Sequence, residues 1–182
     1  MAEHYETKLS SEDIFNGRII SLSRDTVRLE NGEISTREVV RHNGGAGVIA
    51  IDDKDNITLV RQYRYPNNSE LIEIPAGKLE KGENPFEAAK RELGEEAALI
   101  AGEYKSLGYI IPTCGYCDEK IYIYAAKSLT ATEQNLDDDE FVTVFTLPLE
   151  NAAAMVMDGE ITDGKTVAAI LKLKLLRDSG EF

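Results

Sequence analysis

At 182 residues the chain fits one domain of ordinary size with a single main core. Its 42% hydrophobic and 29% charged residues are those of a folding chain and exclude a disordered one. The 33 acidic against 20 basic side chains give a formal net charge of −13, which excludes a broad nucleic-acid or anionic-membrane footprint, although an acidic chain still binds a phosphate compound when metal ions accompany it.

No apolar run approaches the roughly 18 residues of a membrane span, and Met1 to Ser11 lacks the basic start and apolar stretch of a signal peptide. The expectation is a cytoplasmic protein with no membrane or nucleic-acid partner. Residues Ile19 to Leu22, Val27 to Leu29 and Ile34 to Val40 alternate apolar and polar positions around Asn31-Gly32, a pair that tolerates positive φ and so marks a hairpin. This predicts a small β-element in residues 1–43 and a larger unit in residues 44–182. A glycine cluster, Gly44, Gly45 and Gly47, leads into Val48 to Ile51, and a turn from Asp52 to Asn56 joins that strand to Ile57 to Val60.

The apolar run Leu71 to Ile74 ends at Pro75-Ala76-Gly77. Asn84-Pro85 then announces a helix, with Asn as N-cap and Pro at the first helical position, running to about Ala98. Strands are predicted at Ser106 to Ile111, Lys120 to Ala126 and Phe141 to Leu147. Helices follow at Leu149 to Met157 and Thr166 to Arg177, where Ile170, Leu173 and Leu176 recur at near-helical spacing. This mixed order predicts an α+β fold.

Chemistry concentrates between Gly77 and Leu99. At about 100° per residue, Glu92, Glu95 and Glu96 share one side of the predicted helix, whereas Phe86, Ala89, Leu93 and Ala97 form a separate apolar stripe. The stripe is expected to bury against a sheet while the carboxylates face outward together. Their repulsion, several tenths of a kcal/mol per close pair, calls for compensation. Lys90 and Arg91 could supply it on a solvated face; divalent cations could supply it at a site, and oxygen-only ligands suit Mg²⁺ or Mn²⁺ better than zinc. The adjoining glycine loop favours the site.

That segment closely resembles the 23-residue Nudix box, G-x5-E-x7-R-E-U-x-E-E-x-G-U, with U a bulky apolar residue. Gly77, Glu83, Arg91, Glu92, Leu93, Glu95, Glu96 and Leu99 match at the right spacing; Ala98 stands where the box has glycine. Beyond the box, Arg61-Gln62-Tyr63-Arg64, Glu73 to Gly77, Gly115 to Glu119, Asp139-Glu140 and Asp163-Gly164-Lys165-Thr166 resemble the ADP-ribose pyrophosphatase branch. The resemblance implies an α/β/α Nudix sandwich preceded by a small antiparallel β-domain that is exchanged in a homodimer. The implied reaction is metal-assisted attack of water on the pyrophosphate of a nucleoside diphosphate linked to another group, most simply ADP-ribose giving AMP and ribose 5-phosphate.

Carried over by position, Glu92, Glu95, Glu96 and the Ala76 carbonyl become ligands of Mg²⁺ or Mn²⁺, with Glu83 and Arg91 holding the loop against the helix. Glu140 becomes the candidate general base, with Asp139 second. Arg64 is the candidate phosphate contact, Glu73 forms the site floor or a ribose contact, and Arg37 and Glu38 match the region of adenine contacts. The branch commonly has Ser-Pro-Gly where this chain has Thr113-Cys114-Gly115, with its proline at Pro112, and that departure keeps another nucleotide sugar such as GDP-mannose open as substrate. A non-catalytic Nudix-fold nucleotide-binding protein is the alternative of another class, but such proteins typically lose the box glutamates and this chain keeps them. Cys114-Gly115-Tyr116-Cys117 invites a redox or zinc reading. A strand is predicted after it instead of a helix, and only His4 and His42 remain to complete a zinc site, so two ordinary loop thiols are expected.

Overall fold

Alternation from Ile19 to Val40 builds the hairpin of β2 (Ile20–Arg28) and β3 (Ile34–His42), and β1 (Thr7–Asn16) pairs with β2 to complete a three-stranded antiparallel sheet in the order β1-β2-β3. The structure, a computed structural model, describes residues 4–136 and 140–182. Gly32, at φ 87°, closes the hairpin between β2 and β3, where the Asn31 side chain accepts from the Glu33 N–H at 3.0 Å. The strand β1 was not predicted. Every one of its residues is exposed, so it buries no face and carries no apolar alternation. Pairing with β2 holds it instead, together with Ser11, which donates to the buried Asp25 at 2.5 Å.

The second sheet contains β4 (Gly45–Ile51), β5 (Asn56–Arg64), β6 (Ser69–Glu73), β7 (Ala76–Lys78), β8 (Leu99–Ile110), β9 (Ile121–Ala131) and β10 (Val142–Pro148). Its order is β10-β5-β4-β9-β8, with β6 paired to β5 and β7 to β4. The β4–β9 pair is parallel, and β4 is buried throughout. Because successive residues face opposite ways, Ala46, Val48 and Ala50 pack against Ala88, Ala89, Leu93 and Ala97 of α1 (Pro85–Ala97). Ile49 and Ile51 face the other way, toward α2 (Leu149–Met157) and α3 (Gly164–Asp178), joining Ala152, Ala153, Ile170 and Leu173. Helix, sheet and helix pair thus form three layers of an α+β fold. The fully buried Ile49, Ile57, Leu59, Ile170 and Leu173 each contribute about 2 kcal/mol by leaving water.

Two boundaries explain how the site is framed. Asn84 caps α1 by accepting from the Phe86 N–H, with Pro85 behind it. At the other end Ala98 takes the left-handed conformation, φ 54° and ψ 39°, that glycine usually supplies, at a cost of about 1 kcal/mol. The helix therefore stops on schedule without the glycine. The chain turns directly into β8, whose pairing with β9 begins at Leu99↔Ala131 and not near the predicted Ser106.

Candidate active site

The loop entering α1 approaches the helix so closely that a side chain has no room at Gly77. A Cβ placed there would lie 1.9 Å from Glu92 Oε1. The strand β7 thus lies over the carboxylate side of α1, and the expectation that the three glutamates face outward is corrected. Glu92 is 6% and Glu96 2% exposed, while only Glu95 is half-buried. One flank of the helix packs on β4 and the next is roofed by Ala76–Gly77, which leaves a walled slot where periodicity alone suggested surface.

Charge in the slot is balanced within the chain. Arg91 Nη1 donates to Glu92 Oε1 and Glu95 Oε2, each at 2.8 Å, and its other nitrogens reach Glu83 at 3.3 and 3.4 Å. Glu83 also accepts from the Glu80 N–H at 2.9 Å, so Arg91 and Glu83 tie loop to helix. The Ala76 N–H donates to Glu96 Oε2 at 2.9 Å. Lys90 bonds Glu87 instead and takes no part. Burial pushes Glu92 up to about 7 despite Arg91, with Glu95 and Glu140 adding to the rise. Burial likewise pushes Glu96 up to about 8 against the Ala76 N–H, and the charges of Glu92 and Glu140 add to it.

Among the described residues no three acidic side chains already converge as a ligand cluster, because Arg91 stands between Glu92 and Glu95. The guanidinium occupies the place of a cation. Carboxylates of Glu92, Glu95 and Glu96 beside the Ala76 backbone form a set of hard oxygen donors, so these residues fit a hard divalent ion exchanging for Arg91.

The segment after β9 is anchored on the end of α1 by the helix's own unsatisfied carbonyls. Thr132 N–H donates to Ala98 O at 2.8 Å, Gln134 Nε2 to Glu96 O at 2.6 Å and Asn135 N–H to Glu95 O at 3.1 Å. Asp139 lies outside the described residues. Glu140, just beyond it, is half-buried, and its charge acts on both Glu92 and Glu96.

Opposite the helix, Glu73 at the end of β6 is 1% exposed. Arg64 Nε and Nη2 donate to its two oxygens at 2.6 and 2.7 Å, leaving Nη1 without a hydrogen bond among the described residues. Arg64 also lies within the field of Glu96. Lys165, 8% exposed, donates to Glu73 from below and to Asp163 at 3.0 Å. Thr166 Oγ1 donates to Asp163 at 2.6 Å and accepts from the Ile74 N–H at 2.8 Å. Sequence reasoning assigned no role to Asp163, Lys165 and Thr166, although Asp-Gly-Lys-Thr at a helix start was their signal. They fasten α3 to the strand that runs into the Ala76–Gly77 loop.

Arg37 and Glu38 lie apart from this group. Arg37 bonds Glu6, Ser35 and the Thr36 carbonyl. Within one chain neither residue makes a hydrogen bond or ion pair beyond the N-terminal segment 4–43 among the described residues.

The raised carboxylates fix a pH dependence. Glu92 and Glu96 keep protons in the fold up to about 7 and 8, whereas an unfolded chain releases them near the ordinary 4.5, so the unfolded state binds fewer protons in that window. Stability in EDTA is therefore expected to fall as pH rises from about 5 to about 8. Glu73, Glu83 and Asp118 are held below their ordinary values, so their contribution is complete beneath that window and does not offset the fall. Thermal melts across this range, with and without Mg²⁺, check the slope. Metal should flatten it, since ligation removes the same protons. A metal-free melting temperature that rises from pH 5 to 8 would contradict the burial of these two carboxylates.

Comparison with known proteins adds to this geometry. Residues 41–170 match the model of the NUDIX domain, and residues 6–40 match that of the nucleoside diphosphate sugar hydrolase N-terminal domain. The chain is 43% identical over 178 residues to the methanol dehydrogenase activator of Bacillus methanolicus, covering 96% of each chain. It is 40% identical over 172 residues to the ADP-ribose pyrophosphatase of Bacillus subtilis (strain 168), covering 93% of each. The GDP-mannose pyrophosphatase of Enterobacter sp. (strain 638) is 30% identical, with 98% of this chain and 96% of the relative covered. The crystal structure of an ADP compounds hydrolase superposes over 100% of both chains with a TM-score of 0.85 at 22% identity, which speaks to the fold.

Proposed function

We propose a reaction from the premise that the chain belongs to the Nudix family: hydrolysis of the pyrophosphate of a nucleoside diphosphate linked to another group, with ADP-ribose giving AMP and ribose 5-phosphate. The observation that carries this reading is the pair of buried carboxylates, Glu92 and Glu96, raised to about 7 and 8 beneath the loop at Ala76. Buried glutamates of this kind are costly unless a cation is to be held there. Nudix hydrolases use divalent metal ions. Here Glu92, Glu95, Glu96 and the Ala76 carbonyl would hold Mg²⁺ or Mn²⁺, supplying charge neutralisation at the diphosphate and a more acidic water.

The rest falls to the chain's own residues. Glu140 takes the proton from the attacking water. Arg64, fixed on Glu73 by two hydrogen bonds, offers its remaining Nη1 to a phosphate oxygen. Glu73 serves as the floor that orients Arg64, because Arg64 and Lys165 already occupy its carboxylate. Arg37 and Glu38 of β3 reach adenine across a homodimer. The exposed Leu9, Ile14, Phe15, Ile19 and Ile34 of the N-terminal segment support that assembly, whose interface includes β1 as well as the hairpin of β2 and β3. Light scattering at micromolar concentration should give a dimer; a fully active monomer would remove this part.

ADP-ribose is favoured over GDP-mannose because the relatives named for ADP-ribose hydrolysis are the more similar ones. The test is kcat/KM for ADP-ribose, GDP-mannose, ADP-glucose, NADH and diadenosine polyphosphates at equal free Mg²⁺, with products identified. ADP-ribose should lead. A tenfold advantage for another compound, about 1.4 kcal/mol, would move the substrate and keep the reaction class. No turnover of any of them would favour a non-catalytic binding protein.

A further inference from the structure

The cysteine motif sits in a place that its sequence context did not suggest. Cys117 N–H donates to the Thr113 carbonyl at 3.1 Å and Tyr116 N–H to the same oxygen at 3.4 Å, so residues 113–117 form a single helical turn. Helical geometry puts Cα atoms three residues apart at about 5 Å, inside the roughly 4.4–6.8 Å that a disulfide spans. Cys114 is exposed and Cys117 half-buried, and both are free thiols.

This turn ends in the latch that joins the N-terminal sheet to the rest of the molecule. Val40 N–H donates to Tyr116 O at 2.7 Å, and Asp118 N–H donates to Val40 O at 3.2 Å. The Asp118 carboxylate accepts from Arg41 Nη1 and from the His42 N–H, each at 3.0 Å, and His42 Nδ1 lies 3.2 Å from Glu119. Among the described residues these are all the hydrogen bonds and ion pairs from β1, β2 and β3 to residues beyond 44. Cys117 itself bridges Val40. Arg37 and Glu38 lie on the same strand, three and two residues from that bridge.

We propose that Cys114 and Cys117 form a redox-responsive dithiol whose closure to a disulfide stiffens this latch and thereby sets nucleotide affinity. The affinity part rests on the reading that Arg37 and Glu38 contact the nucleotide. With a hydroperoxide as oxidant, the exposed Cys114 thiolate attacks the peroxide oxygen, giving a sulfenic acid and releasing water or an alcohol. Cys117 thiolate then attacks the Cys114 sulfur and expels hydroxide, so two thiol electrons reduce one peroxide. The stapled turn holds Tyr116 and Asp118 against Val40, and β3 presents its side chains in a single position. Pre-organisation of this kind lowers KM and leaves the barrier at phosphorus unchanged.

The test uses the full chain, reduced, desalted and treated with stoichiometric hydrogen peroxide. Its mass should fall by about 2 Da with loss of both titratable thiols. Amide exchange at Val40 and Asp118 should slow, and KM should drop about threefold at unchanged kcat. Dithiothreitol should reverse all of these. The variant C114S/C117S should show full turnover under reducing conditions and none of the responses. Mass gains from over-oxidation, disulfide-linked dimers, or closure without change in exchange would overturn the proposal, and slowed exchange with constant KM would overturn its affinity part. A protein that closes its disulfide and slows exchange yet hydrolyses no nucleotide would refute the proposed reaction and leave the dithiol latch standing.

Discussion

Glu96→Gln is expected to abolish metal-dependent hydrolysis and, in EDTA at pH 8, to raise the melting temperature. Glu96 is almost fully buried, accepts one hydrogen bond from the Ala76 N–H, and is held up to about 8 by burial and by its acidic neighbours Glu92 and Glu140. A carboxamide oxygen keeps that hydrogen bond and the side-chain shape. What disappears is the charge, which is the part that would bind a cation and the part that burial penalises. Turnover at saturating Mg²⁺ should fall about a hundredfold or more, the scale seen when a preorganised electrostatic partner is removed. The metal-free fold gains, because at pH 8 the glutamate is partly ionised in the slot and the glutamine is not. A gain of 1 kcal/mol corresponds to about 2–4 °C for a chain of this size. Loss of activity together with gained stability is the signature of a functional carboxylate, since a structural one would lose both. Near-normal turnover in a variant folded by circular dichroism would remove Glu96 from the metal site.

Sequence periodicity was informative wherever one face meets one neighbour. The alternation through Val48-Ile49-Ala50-Ile51 separates cleanly into residues that meet α1 and residues that meet α2 and α3. The Asn84-Pro85 cap was legible because capping is local chemistry, and the Asn31-Gly32 turn for the same reason. Periodicity failed where burial comes from a remote segment. Glu92 and Glu96 share a helix side, as their spacing requires, but nothing at i+3 or i+4 announces that β7 lies over them. The strand β1 was invisible for the opposite reason, having no buried face to pattern it. Ala98 shows a further limit, because the box glycine serves a backbone conformation that the surrounding packing can impose on alanine. Resemblance located the glutamates and Arg64 in the chain. The hydrogen bonds that tie Arg64 to α3 span nearly a hundred residues and required the fold.

That tie makes Lys165→Met the substitution with the largest expected effect on stability. Lys165 is nine-tenths buried, its Nζ shared between Glu73 and Asp163, and Glu73 is sealed beneath Arg64. With lysine in place, two carboxylates face two cations and the quartet is neutral. Methionine fills much of the same volume and leaves the buried Glu73 and the half-buried Asp163 with one guanidinium between them. Breaking a buried pair from one side costs about 3–5 kcal/mol. Arg64 remains on Glu73, and Asp163 keeps its bonds to Thr166, so the lower end applies. About 3 kcal/mol predicts a melting temperature lower by about 6–12 °C, tolerable for a fold stable by 5–15 kcal/mol. Adding Glu73→Gln should recover part of the loss, because the second change removes the acid that the first left unpaired. Kinetics should separate position from structure. Glu73, no longer shared with Lys165, offsets more of the Arg64 charge, so KM for the diphosphate should rise severalfold while kcat changes little. Lys165→Arg, which keeps the charge in a different shape, should restore part of KM. A variant that melts lower with KM untouched would confine Lys165 to fastening α3, and one that melts within 2 °C of the parent would show that the buried Lys165–Glu73 pair stabilises nothing.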